Sequence, residues 1–181
     1  RPEVVRELIR ASRACSSIKI IYASMSNPSW HERIISPHTL VYTGFRWHVR
    51  AYCHLKNEFR DFLLSRIDRT PKASEVEAPS VDEDSAWQEM ITVTLQPNQR
   101  LGDRQQALVE KDFGMPEGRL QLTIRKALAH YTLHRFQAAI NQEDADNERQ
   151  FPLQLLATDR KKLSPYLFGS NFSSESEVTK K

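Results

Sequence analysis

From Phe45 the chain alternates with a period of two: Phe45, Trp47, Val49, Ala51 and Cys53 are apolar, and the interleaved Arg46, His48, Arg50, Tyr52 and His54 are cationic or polar. Successive side chains of a strand point to opposite faces, so the pattern predicts a half-buried strand with an apolar, core-facing side that includes Trp47 and a basic outer side. Residues 59–67 are again rich in strand formers and carry Arg60 and Arg66, with Lys56-Asn57-Glu58 as the turn that folds them back. Upstream, Pro2 followed by Val5, Leu8, Ile9 and Ser12 gives helical spacing over residues 2–14. Residues 18–23, 31–36 and 39–42 read as three more strands, with turns at Asn27-Pro28-Ser29, Ser36-Pro37 and Thr43-Gly44. Five short strands joined by tight turns predict a small, bent sheet closed as a barrel.

Beyond residue 67 the character changes. Residues 68–84 hold Pro71, Pro79 and several acidic positions but few large apolar ones, and read as a linker or mobile crossover. After it come a strand over 87–95, a helix over 104–113 ended by Gly114 and Pro116, and a strand over 119–124. A helix follows over 126–142 with Leu128, Tyr131, Phe136, Ala139 and Ile140 on one stripe, and residues 151–168 add a last strand and turn. The expected organisation is a helix over 1–14, a barrel over 15–70, a linker over 71–86, an α/β extension over 87–168 and a frayed tail over 169–181, an α+β chain overall.

Composition narrows the chemistry. The 39% apolar and 27% charged content of these 181 residues is that of ordinary soluble protein, and no apolar run approaches the roughly 20 residues that cross a bilayer. A net charge of +3 is too small to argue nucleic-acid binding by itself. Cys15 and Cys53 have no C-x-x-C partner and read as buried thiols. No H-E-x-x-H, G-x-S-x-G or glycine-rich phosphate loop occurs, and the His130/His134 pair lacks a third metal ligand nearby, so neither an enzyme nor a cofactor or metal site is expected. With no signal peptide visible, the chain is expected in the cytoplasm; opening on Arg1 within a helical pattern, it reads as part of a longer protein.

Four arginines and a histidine can thus converge within one hairpin. Two readings fit: a sheet face that is merely solvated, and a surface built for an anion. The stretch Arg46-Trp47-His48-Val49-Arg50-Ala51-Tyr52-Cys53, with Phe59-Arg60-Asp61-Phe62 and Leu64-Ser65-Arg66-Ile67, resembles the signature of the WYL-domain family of bacterial transcriptional regulators. Ile20-Ile21-Tyr22-Ala23-Ser24 and Ile35-Ser36-Pro37-His38-Thr39-Leu40 stand where that family has its first strand and its proline-containing strand. One departure is that the name-giving tyrosine and leucine are here His48 and Val49.

The resemblance implies an Sm-like, SH3-type β-barrel whose pocket takes a nucleotide or oligonucleotide effector. It also implies a preceding winged helix-turn-helix, absent from this chain, that reads operator DNA, and an α/β extension that makes a homodimer. The Trp-His-Val form is most similar to dimeric repressors of bacterial anti-phage defence operons. On this reading Arg66 is the first effector contact, since a guanidinium fork fits phosphate oxygens. His48 and Arg50 share its face, Arg46 lies toward the rim, and Tyr22 and Ser24 offer a stacking ring and a hydroxyl. Arg60 either joins them or pairs with Asp61 or Glu58, and Tyr22 is equally a barrel-edge residue. Two rivals remain: a direct single-stranded nucleic-acid-binding barrel, with Arg46, Arg50, Arg60 and Arg66 on phosphates and Tyr22 or Tyr52 under a base, and a purely structural dimerisation module.

Overall fold

A computed structural model describes residues 1–69 and 71–168, and the expected tail over 169–181 lies outside them. The chain divides into two compact units after Ser85.

In the first unit, helix α1 (Pro2–Arg13) starts on a first-turn proline and buries Val4, Leu8 and Ala11. These join Ile18, Ile20 and Tyr22 of β1 (Ile18–Tyr22), Ile35 of β2 (His31–Tyr42) and Val49, Ala51 and Cys53 of β3 (Trp47–Cys53) in one core. Phe62 of β4 (Glu58–Leu63) completes it with Ile67. The helix is therefore an integral wall of this unit. Between β3 and β4 the turn closes through Asn57, whose N–H donates to the Cys53 carbonyl at 2.8 Å and whose φ of 53° is one that asparagine tolerates.

The strand order is β4-β3-β2-β1-β5, with β5 the two-residue Lys72–Ala73. All pairs are antiparallel, and β4 and β5 are not paired with each other among the described residues, so the sheet is not the expected closed barrel. Two predicted strands, 31–36 and 39–42, are one. Pro37 does not break it because the register shifts between Pro37 and Thr39, a bulge that absorbs the irregular residue. The strand expected over 59–67 stops at Leu63, and Arg66 ends a 3₁₀ turn, Leu64–Arg66.

Residues 68–84 are not a free linker. β5 pairs with β1, and a 3₁₀ turn over Val81–Glu83 is held by a capping box between Ser80 and Glu83. Asp84 is buried. The capping box is a local Ser-x-x-Glu signal, whereas β5 and the buried Asp84 are held by partners far away in sequence, which composition alone does not show.

From helix α2 (Ser85–Gln88) the second unit adds β6 (Met90–Pro97), α3 (Asp103–Phe113), β7 (Leu120–Arg125), α4 (Ala129–Arg135), β8 (Ala138–Ala139), α5 (Gln142–Ala145), β9 (Leu153–Leu155) and α6 (Ala157–Leu163). Its sheet runs β7-β6-β9-β8, antiparallel except for β8 with β9. Val93, Leu95, Leu133, Leu153, Leu155 and Leu163 are fully buried in its core. Gly114 ends α3 in the left-handed region, as predicted, with the Met115 N–H on the Glu110 carbonyl at 2.8 Å. The helix predicted over 126–142 stops at Arg135: Gln137 takes a φ of 50° and turns Ala138 and Ala139 into the sheet. Residues 157–163, expected as strand and turn, are helical, and the strand expected from 87 begins at Met90.

Candidate functional site

At one end of the first sheet, the turn after β1 and the hairpin of β3 and β4 enclose a cleft of about 540 Å³. Arg33, Arg60, Arg66, Tyr22, Ser24 and His31 are among its walls. On the other side of Arg66 lies a wider cleft of about 1000 Å³, which also takes in Arg46, Trp47, Phe45 and Trp30. Arg66 belongs to both.

Each guanidinium is placed by strand register. Arg33 pairs with Ile20 across β1 and β2 and shares parity with Ile35, so its side chain is directed to the core side of the sheet. It is only 8% exposed, and its partners are His31 Nε2, which accepts from Nε at 2.8 Å, and Cys53 Sγ at 3.8 Å, with the Tyr22 ring 5.8 Å from its guanidinium carbon. None of these is a carboxylate. A buried cation is costly unless an anion or a hydrogen-bond acceptor compensates it, and here the open side is the cleft. Arg33 is not among the residues expected from the sequence; its signal there is an arginine at a core-parity position between His31 and Ile35.

Arg66 is half-buried at the end of its 3₁₀ turn. Its carbonyl accepts the Ala23 N–H at 3.5 Å, and the neighbouring Ile67 bridges to Tyr22, so the turn is tied to β1. No ion pair engages its side chain among the described residues. Arg60 is more exposed and lies 3.3 Å from Glu58, the cross-turn pairing foreseen as its alternative.

The expected convergence is partial. Arg50 points to the outer face, yet it is buried there under Asp84: Nε donates to Oδ2 at 2.7 Å, Nη2 to Oδ1 at 2.9 Å, and Nη1 to Asp61 at 3.3 Å. Burial works against its charge, and the two carboxylates outweigh that, raising its pKa above the ordinary value. Arg50 is thus neutralised and lines neither cleft, against its assignment to an open cationic face. His48, on the same face, also lines neither. Burial lowers its pKa, opposed by Asp61 and reinforced by Arg46 and Arg66.

Tyr22 is not an open stacking ring. It is buried, its hydroxyl accepts the Leu63 N–H at 3.2 Å, and its ring meets Phe62 edge-on at 5.1 Å. Ser24 Oγ accepts the Asn27 N–H at 3.1 Å and shapes the rim turn. Arg46 is exposed, with its guanidinium carbon 5.3 Å from the Phe45 ring centre. Trp47, assigned to the core, is 52% exposed and Phe45 59%. Alternation gives the parity of a side chain, but Phe45 precedes β3 and Trp47 begins it, where the core no longer covers them. Of the two thiols expected to be buried, Cys53 is buried and Cys15 is exposed.

Among the described residues no group of three His, Cys, Asp or Glu side chains gathers as for a metal ion, and no helix is long and apolar enough to cross a membrane.

The chain is thus a mixed α+β protein whose first unit is an antiparallel sheet with a helix packed on it. Residues 3–71 match the WYL domain, and residues 90–163 match the BrxR transcriptional regulator C-terminal dimerization domain. The chain belongs to the WYL-domain family of transcriptional regulators. It is similar to the DNA-binding transcriptional repressor CapW of Pseudomonas aeruginosa, at 40% identity over 87% of this chain and 52% of that one. The proteins of the same name from Escherichia coli (strain KTE188) and Stenotrophomonas maltophilia are 41% and 37% identical, over 72% and 71% of this chain and 44% and 43% of theirs. The chain spans about half the length of these curated relatives. A solved structure, Proteasome accessory factor B/C (PafBC) of Arthrobacter aurescens, shows a partial likeness, with a TM-score of 0.41 and 16% identity over 91% of this chain and 26% of that one.

Proposed function

We propose that this chain is the effector-sensing and dimerising part of a WYL-type repressor, and that its effector carries a phosphate, as a nucleotide or a nucleic acid does. The observation that carries the reading is the pairing of Arg33 and Arg66 on one cleft with no carboxylate assigned to either. Guanidinium forks match phosphate oxygens bidentately, and a site partly out of water strengthens that attraction. Arg60, Ser24 and His31 border the same space. Arg46 approaches from the other side of Arg66.

The relatives' name, DNA-binding transcriptional repressor, supports the repressor role, and the match to a dimerization domain supports a homodimer. Operator DNA would be read by the part of such a protein outside residues 1–181, and the controlled genes would be an anti-phage defence operon. Effector binding alters repression to the extent that the ligand prefers one arrangement of the dimer over another.

A thermal-shift screen of the chain against nucleotides and short oligonucleotides tests the assignment. A ligand at about a hundred times its Kd adds about 2.7 kcal/mol to stability, an upward shift of several degrees that Arg66→Ala abolishes while the chain stays folded. A hit equally strong in Arg66→Ala removes this cleft from the effector site.

A further inference from the structure

The two partners of His31 fix the state of its ring. Nδ1 lies 2.7 Å from the Ser29 carbonyl oxygen, which can only accept, so Nδ1 carries a hydrogen. Nε2 faces Arg33 Nε at 2.8 Å, and a guanidinium can only donate, so Nε2 presents its lone pair. One form satisfies both contacts, the neutral imidazole with its hydrogen on Nδ1. Strand geometry builds this clasp: His31 and Arg33 are two residues apart in β2 and share a face, and His31 stands opposite Tyr22 of β1. Glu32, between them, has the other parity and pairs with Lys19 at 3.0 Å, so the neighbouring carboxylate is engaged on the opposite face.

The clasp governs how Arg33 meets the narrower cleft. With Nε held by His31 and Nη1 by Cys53 Sγ at 3.8 Å, neither two-nitrogen edge of the guanidinium is wholly free for an oxyanion. A proton taken from solvent by Nε2 reverses this. A donor then faces a donor, two like charges stand side by side, and the Arg33–His31 bond is lost. Arg33 is released toward the cleft, and the new Nε2–H needs an acceptor of its own. The other charged groups around this cleft are Lys56, Arg60, Asp61 and Arg66. Arg60 lies 3.3 Å from Glu58, and Asp61 lies 3.3 Å from Arg50. An anion entering the cleft supplies the acceptor that both Arg33 and a charged His31 require.

Resting on the phosphate reading of this cleft, we propose that His31 is a proton-operated member of the anion site. Neutral, it holds Arg33 back by its lone pair; protonated, it frees Arg33 and itself donates to the anion. Anion and proton therefore bind together, and by linkage each strengthens the other.

Sulfate is the probe, because it keeps both charges throughout the histidine range and its own protonation does not enter. Binding to the full chain is measured at constant ionic strength between about pH 8 and pH 6. Affinity should rise about fivefold or more toward the acid end. In His31→Gln the amide still donates and accepts but takes no proton, so its affinity should match that of the unaltered chain at pH 8 and stay flat with pH. Nitrogen NMR of the His31 ring gives a readout that needs no variant: hydrogen on Nδ1 at pH 8 without sulfate, and a shift toward the charged ring when sulfate is added at pH 7. Hydrogen on Nε2 at pH 8, no response of the ring to bound sulfate, or an equal pH slope in His31→Gln overturns the proposal, while the phosphate cleft stands. Arg66→Ala separates the two readings: sulfate bound as tightly by that variant, or by neither protein, removes the phosphate cleft and the proton switch with it.

Discussion

Arg50 and Asp84 meet as a fork on a fork, with Nε to Oδ2 at 2.7 Å and Nη2 to Oδ1 at 2.9 Å, 34 residues apart in sequence and both buried. His38, the residue at the β2 bulge, adds its Nε2 to the same carboxylate oxygen at 3.2 Å. A segment with the composition of a loose linker is therefore fastened to the middle of the sheet immediately before the second unit begins. Removing one partner of such a buried pair leaves the other charged and out of water. Asp84→Ala should cost about 3 kcal/mol, the lower end of the usual range because Asp61 still faces Arg50. Urea unfolding measures it, and limited proteolysis should show new cleavage within 74–84. An unchanged midpoint would mean that the pair contributes nothing net.

Arg33 makes the opposite prediction. A guanidinium buried without a carboxylate is a cost that the empty site carries, so Arg33→Met should leave the unliganded chain as stable as before, or more stable by about 1 kcal/mol or more. The same substitution should abolish the effector's thermal shift. Marked destabilisation with ligand response intact would instead make Arg33 a structural residue.

Acid should weaken the fold through His48. Burial holds its folded pKa below the ordinary histidine value, so the folded state binds this proton less readily than the unfolded chain. The associated stability is complete above about pH 6.5 and is lost as pH falls through the lowered pKa. His54 and His130 are also lowered by burial and add to the same slope. Urea midpoints between about pH 7.5 and pH 5.5 should fall with acidification, less steeply in His48→Gln. An identical slope in the variant would exclude His48 from the effect.

Helix α1 should behave as core. Leu8 is fully buried against the sheet, and Leu8→Ala should cost about 2–5 kcal/mol in the unfolding of the first unit. Ile9→Ala, on the partly exposed side of the same helix, should cost clearly less. Equal small effects would show that the helix adds little to the core.

Local pattern carried a good deal of this protein. The alternation of Val49, Ala51 and Cys53, the helical stripe through Leu8 and the stop at Gly114 all rest on the backbone period and on turn chemistry, which are properties of neighbouring residues. The same local pattern, together with the hairpin motif, was enough to point to the regulator family. Alternation also misled at its ends: Trp47 has core parity but stands where the core has run out.

What tertiary structure alone decided is which charges are spent and which are available. Arg50 and Arg66 look alike in the sequence, yet Asp84 closes over one and the other stays at a cleft edge. Arg33 gained its place from a register with Ile20, and Tyr22 lost its expected role to a hydrogen bond with Leu63. Coulomb attraction and desolvation depend on separation in space, which contacts between distant segments create, so a one-dimensional pattern can count the arginines of a site but not say which of them face an anion.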